Sequence, residues 1–388
     1  MDTVRSSPWV RSLWWDCFWM MSGLWALVPI LALARVPGSV ELLVTVTLVT
    51  LWLAHRAGTA YLAFTRPEYR ELIRTQYVRF LVIPIATFAV FAFFFFDPLE
   101  VVPLTPLAKG KVALTGYFFV NSIHFAYQHY GVASIYRMRG QQRASDLARR
   151  LEKLYCVLVA GVVVTVGLVL RGSLVLDSTL LPDYWTTSHA AVALRYARVW
   201  GPAASIALTG WIVQRELELP RPSLPKTFYL LSVGLQGVLV FWIDPLVFFI
   251  LWSIQHWLVA IGLTTRMASG SAPRESAAPW YRLWGFVNGS FWGSFLMLVL
   301  ISVVMAPLFG AASNPEKFAS LGAFLSGHRS LLDAVLTLSV GSAFVHLDLD
   351  RAVFRFSNEA VRKVSLPLML PQRPRVAEEG TRGVAAGA

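Results

Sequence analysis

Charge is scarce in this sequence. Only 14% of its 388 residues are Asp, Glu, Lys or Arg, against roughly a quarter in ordinary soluble domains, and that deficit excludes a conventional soluble enzyme. Cysteine is nearly missing. Cys17 and Cys156 both lie in or beside apolar stretches, which reads as two buried thiols and excludes a disulfide scaffold. The glycine loops that cradle phosphates or dinucleotides are absent, and no segment recurs at a fixed period. Acidic residues number 22 against 34 basic ones, a net charge of +12. Without a nucleic-acid module, and with the basic residues set between apolar spans, that excess suits anionic lipid headgroups and not nucleic acid.

What is plentiful is apolar: 56% of the residues are hydrophobic and the mean hydropathy is +0.57. Blocks 82–96, 157–170 and 295–308 contain no charge, and with their flanks each approaches the roughly 20 residues that cross a bilayer. The expectation is an all-α, polytopic transmembrane bundle of about ten helices, near 12–34, 40–62, 79–97, 112–136, 153–171, 193–214, 226–243, 246–264, 285–309 and 331–354. Residues 1–364 form this domain; 365–388, low in bulky residues, read as a disordered cytoplasmic tail. The stretch 13–33 follows Arg5 and Arg11 like a signal peptide, but it is long enough to span and is taken as the first helix. Asp244-Pro245 must make a tight hairpin if 226–264 crosses twice. Residues 140–154, with alternating charge at helical spacing, suggest a helix lying at the interface.

Lysine and arginine placement orients the bundle. With the N-terminus inside, the cytoplasmic connections hold Arg66, Arg70, Arg74 and Arg79, a group from Arg137 to Lys153, then Arg215, Arg221 and Lys226, Arg266, Arg274 and Arg282, and a C-terminal group from Arg351. The outer connections hold fewer: Arg35, Lys109, Lys111, Arg171, Arg195, Arg198, Lys317 and Arg329. Both termini are therefore expected in the cytoplasm, with the protein in a bacterial inner membrane.

Five of seven histidines fall inside spans: His55, His124, His129, His256 and His346. All five sit on even-numbered spans, which run outside to inside. His129 precedes Arg137 by eight residues, His256 precedes Arg266 by ten, and His346 precedes Arg355 by nine. At about 1.5 Å per residue these imidazoles lie at one depth, in the cytoplasmic half of the bilayer. Asp16, Asp348 and Asp350 join that layer. Ionisable groups in a membrane are costly and turn toward the bundle interior or a polar cavity. His346 with Asp350, and His124 with Gln128, are i,i+4 pairs sharing a helix face; His129 is about 140° round from His124. His189 and His328 fall in outer connections and receive no role.

Imidazole and carboxylate donors together suit iron, zinc, copper or manganese. The expected ligands are His55, His124, His129, His256, His346 and Asp350, with Gln128, Gln255 and Tyr127 as outer partners. Iron is favoured, as one ion or a pair, with haem ranked below. Arg56 and Arg351 have a plainer reading, as counter-charges to Asp16, Asp348 or Asp350.

Three segments resemble, as a set, a group of bacterial multi-span membrane proteins: HRAGTAYLAFTRPEYR at 55–70, SIHFAYQHYGVASIYRMR at 122–139 and HLDLDRAVFRFSN at 346–358. The shared patterns are an HFxxQxYG-like segment and a later HxxxDxxxxR-like segment. The resemblance implies that His55, His124, Gln128, Gly131, His346 and Asp350 belong to one recurring set. It carries no substrate. The desaturase and hydroxylase class is only a mechanistic analogy, because HxxHH-type boxes are missing here.

The function expected is a membrane-embedded, metal-dependent oxidative enzyme, desaturase-, hydroxylase- or oxygenase-like. It would act on a lipid-soluble substrate near the cytoplasmic leaflet, with a redox partner on that side. The alternatives are a proton-coupled transporter using the same polar layer and a b-type haem membrane protein.

Overall fold

Helices account for every regular element of the described residues. The computed structural model of the chain describes residues 7–142, 144–166, 187–269, 287, 289–313 and 315–370. Residues 371–388, most of the expected tail, lie outside them, as do 167–171 at the end of the expected fifth span.

Ser12 opens the first helix, α1 (Leu13–Trp19), its hydroxyl accepting from the Trp15 backbone N–H at 3.3 Å. It meets α2 (Ser22–Leu33) at a bend of 69°. Next, α3 (Ser39–Thr65) begins after Gly38, held at φ 73°. A π-helical turn at Leu48–Trp52 interrupts α3, rotating everything after it relative to a regular helix. After a short helix at Arg70–Thr75, α4 (Val78–Phe96) stops at Asp97, which adopts the left-handed conformation. Its carboxylate accepts from the Val101 and Val102 N–H groups at 2.9 and 3.0 Å and from Lys109 at 2.9 Å.

Thr105 caps α5 (Pro106–Arg139), with Pro106 in the first turn, where its missing N–H is harmless. Ser145 caps α6 (Asp146–Val164). Then come α7 (Thr187–Leu217), α8 (Leu224–Leu239), α9 (Pro245–Ala268), α10 (Phe291–Ser313), α11 (Ala319–Gly327), α12 (Arg329–Phe354) and α13 (Glu359–Met369). Asp244 ends the break between α8 and α9, its side chain accepting from Val247 N at 3.2 Å. The hairpin expected there is therefore a break between two separate helices.

Five helices are long and apolar enough to cross a membrane: α3, α4, α9, α10 and α12, with bent α1–α2 as a sixth if it counts as one span. That is the composition of an integral membrane protein. Among the described residues, the helices at the four remaining stretches expected to span fall short of the combination of length and apolarity, and 167–171 of the fifth lie outside those residues. Helix α8 has only 16 residues. Helix α5 has 34, roughly 50 Å at 1.5 Å per residue, yet Asn121, His124, Gln128 and His129 dilute its apolar stretch. The charged stretch expected as a separate interfacial helix is the first half of α6. Nor does the fold end at 364: α13 runs on to Met369, and Ser365 and Met369 are buried.

Helix α9 lies at the centre, buried along almost its whole length and packed against α3, α10, α13 and the α1–α2 corner. Helix α12 packs on α4, α5 and α3. Its Gly341 lies against the Phe88 ring, where a Cβ would collide; small residues at such crossings let membrane helices approach closely. At the end of α5, Arg137 and Lys226 face Glu152 and Glu216. Lys226 binds both carboxylates, Glu216 at 2.6 Å, and Arg137 binds Glu152 at 2.6 Å. Two cations and two anions, all buried, thereby join α5, α6, α7 and α8. Burial of ions is tolerated only when they are paired in this way.

Candidate metal centre

Four helices contribute one face each to a cluster inside the bundle. From α3 come His55 and Thr59, one turn apart; from α5, His124 and Gln128; from α9, His256; from α12, His346 and Asp350. Ligand atoms of His55, His256 and His346 all lie within 4.8 Å of one another, and so do those of His124, His346 and Asp350. Ring centroids are 4.9 Å apart for His55 and His346, 5.1 Å for His55 and His256, 5.3 Å for His124 and His256, and 5.4 Å for His124 and His346. Five of the six expected ligands thus converge.

Hydrogen bonds decide which ring nitrogens point inward. His346 Nδ1 donates to the Ala343 carbonyl at 2.6 Å; a carbonyl only accepts, so this nitrogen carries the proton and Nε2 keeps its lone pair. His256 Nδ1 is bonded to Gln128 Oε1, while Gln128 Nε2 faces the His256 carbonyl at 3.5 Å. That second contact orients the amide, because only its nitrogen can face a carbonyl. His256 therefore donates through Nδ1 and also keeps a lone pair on Nε2. The Nε2 atoms of His55, His256 and His346 are buried without a hydrogen-bond partner. Orphaned polar atoms of this kind are uncommon in a folded interior and call for an explanation.

Asp350 completes the group. Thr59 donates to its Oδ1, and His124 Nε2 lies 3.3 Å from Oδ2. Aromatic faces hold two of the rings in place: Phe125 stacks on His256 at 3.6 Å and Trp257 on His55 at 5.6 Å. A ring so supported has little rotational freedom, which preorganises a ligand.

The structure places the other expected residues elsewhere. His129 is in neither convergent group: its Nδ1 is bonded to the Tyr229 hydroxyl at 2.7 Å on α8, as the angle from His124 around α5 demands. Gln255, adjacent to His256, faces the opposite way, donating to Ser232 at 2.8 Å and accepting from Gln236. Tyr127 is half exposed, with the Lys153 ammonium 4.7 Å from its ring centre. Nor does Arg56 act as a counter-charge to the three aspartates. Buried beside His55, it donates to the Ser339 carbonyl at 3.2 Å and lies 3.9 Å over Trp52 and 5.0 Å from Tyr117. Asp16 instead accepts from the backbone of Val10 and Arg11 at 2.7 and 3.1 Å. His189 carries a side chain outside the described set; His328 is exposed and bonds the Phe324 carbonyl.

Sequence reasoning missed Thr59 and Tyr117. Thr59 follows His55 by four residues, the same spacing that singled out Gln128 and Asp350, and that signal could have found it. The Tyr117 ring is 6.3 Å from His346, but nothing local distinguishes it from the other interface aromatics.

Compared with known protein families, with curated proteins and with solved structures, the chain matches none of them. The resemblance of its three histidine segments to multi-span bacterial proteins rests on those motifs alone.

Proposed function

We propose that this chain is a membrane-embedded metalloenzyme whose centre is built from His55, His124, His256, His346 and Asp350. One observation carries the reading: lone-pair nitrogens from separate helices meet in a buried space without hydrogen-bond partners of their own. A transition ion is the partner that such a donor set fits, and imidazole with carboxylate suits iron among the common choices. Gln128 and Ala343 hold two of the ligating rings by their remote nitrogens, the arrangement by which proteins orient ligating histidines.

The chemistry that follows is oxidation of a lipid-soluble acyl, isoprenoid or carotenoid-like chain. An iron ion with open positions would supply oxygen activation; the chain's part is to hold the ion, exclude water and admit the substrate. Of the five side chains, His124 is the least buried, 14% exposed, and its neighbours Ile123 and Tyr127 on α5 are exposed. An apolar substrate would enter from the bilayer past this flank. Electrons would arrive from a redox partner on the cytoplasmic side. The accompanying topology is ten passes in a bacterial inner membrane with both termini in the cytoplasm, supported by the lysine and arginine asymmetry. A b-type haem fits poorly, because imidazoles with centroids about 5 Å apart leave no room for a macrocycle between them.

The test is elemental analysis of protein purified in detergent without chelator, coupled to mass spectrometry of lipid extracts from expressing cells. Near-stoichiometric transition metal and a new oxidised lipid, both lost in His256→Ala, are expected. Wild-type protein that transforms lipid while free of metal would overturn the proposal.

A further inference from the structure

Resting on the metal-centre reading, we infer that the centre takes a single divalent ion.

Donor atoms are the first argument. The two convergent groups share His346, and His346 has only one nitrogen to offer, since Nδ1 is committed to the Ala343 carbonyl. His256 is restricted in the same way by Gln128. One ion bound by His55, His256 and His346 leaves His124 and Asp350 as the remaining donors. Two protein ligands fall short of the three or four that hold catalytic or structural zinc and comparable ions. Each of those two is already engaged with the other, and Asp350 also with Thr59. The shared histidine makes the two overlapping groups one site.

Charge is the second argument. Helical bundles that hold paired irons surround them with about four carboxylates. This cluster contains one, Asp350. Two divalent ions would bring four positive charges against that single anion. Arg56, next to His55 in the chain and buried, adds a further positive charge, and its contacts, the Ser339 carbonyl, the Trp52 ring and the Tyr117 side chain, are uncharged. Inside a membrane protein no bulk water compensates such an excess. One divalent ion with Asp350 leaves a charge that one exogenous anion or oxygen-derived ligand can reduce further.

The experiment uses the full chain purified in detergent, stripped of metal, loaded with excess cobalt(II) and separated from unbound ion. Metal per chain is counted by elemental analysis, and magnetic coupling is read by electron paramagnetic resonance. One cobalt per chain with the spectrum of an isolated ion is expected. Two per chain, or a coupled pair, overturns the inference while leaving the metal-centre reading intact. No bound cobalt overturns the metal-centre reading itself, so the two failures are distinct, and the wild-type count decides without recourse to any variant. Asp350→Asn is expected to keep one ion with weaker binding, whereas a two-ion site would fall from two to one. Arg56→Gln is expected to remain at one ion, because the donor count alone still forbids a second; loading of two would assign the limit to charge and contradict the donor argument.

Discussion

His346 Nδ1 donates to the carbonyl of Ala343, three residues back on the same helix, at 2.6 Å. This one bond sets the tautomer, and so turns an unprotonated Nε2 toward His55 and His124. It satisfies one nitrogen of a histidine in the middle of an apolar helix and leaves the other without a partner. His346→Ala is expected to lower metal affinity by more than the roughly 10–100-fold that loss of an outer partner costs. Equilibrium dialysis against iron or zinc measures it, and affinity within a factor of a few of wild type would remove His346 from the ligand set.

In the proposed centre Gln128 would act on the metal only through His256. Gln128→Leu keeps the side chain's bulk but frees the imidazole to rotate and change tautomer. The expected loss is roughly 10–100-fold in metal affinity with the ion count per chain unchanged. Gln128→Glu, which preserves the acceptor, is expected to recover much of it. Identical affinities for all three proteins would show that the amide does not orient the ring.

Lys226 lies between Glu152 and Glu216 with no exposed surface. Lys226→Met leaves two buried carboxylates with less compensation, and breaking such a pair costs about 3–5 kcal/mol. Thermal unfolding in detergent should show a clear drop in midpoint. Adding Glu216→Gln should restore much of the stability, since Arg137 and Glu152 then remain as one neutral ion pair.

Gly341 meets the Phe88 ring where α12 crosses α4. Gly341→Val inserts atoms into a filled contact, an overpacking that costs about 1–3 kcal/mol. Gly341→Val with Phe88→Ala should be closer to wild type than either change alone, a coupling readable by the same unfolding assay.

The Asp97 carboxyl, beyond the end of α4, is held below its ordinary value first by the Lys109 ammonium and then by the Val101 and Val102 N–H groups, against an opposing effect of desolvation. A carboxyl with a lowered folded pKa stabilises fully above its unfolded pKa, roughly 3.9, and progressively less as pH falls through the folded value. The stability gap between wild type and Asp97→Asn should therefore be constant near neutrality and shrink below about pH 4. A gap that persists unchanged at pH 3 would assign the effect to loop geometry and not to charge.

How much of this was legible beforehand differs from residue to residue. His55, His124, His256, His346 and Asp350 were identifiable because hydropathy gives depth along a helix axis, and ionisable groups at one depth must go somewhere polar. His129 shares that depth, and its separation from the cluster follows from azimuth alone: five residues on from His124 turn it toward α8 and Tyr229. Gln255 was misjudged for a related reason, since neighbours in sequence face different partners on a helix as buried as α9. The span count was blurred on α5 by the cluster itself, because the polar residues that α5 brings to it also make the helix less apolar.

Composition and apolar run length were sufficient to determine a helical membrane protein, and the spacing of histidines from basic helix ends was sufficient to determine a shared polar layer. Those are one-dimensional properties, set by how much of the chain water or lipid accepts. Rotation of each helix about its own axis was decided only in three dimensions. It depends on packing at crossings such as Gly341 on Phe88 and on the π-helical turn at Leu48–Trp52 ahead of His55. Depth is a local energy of transfer; direction is a joint property of all the helices in contact.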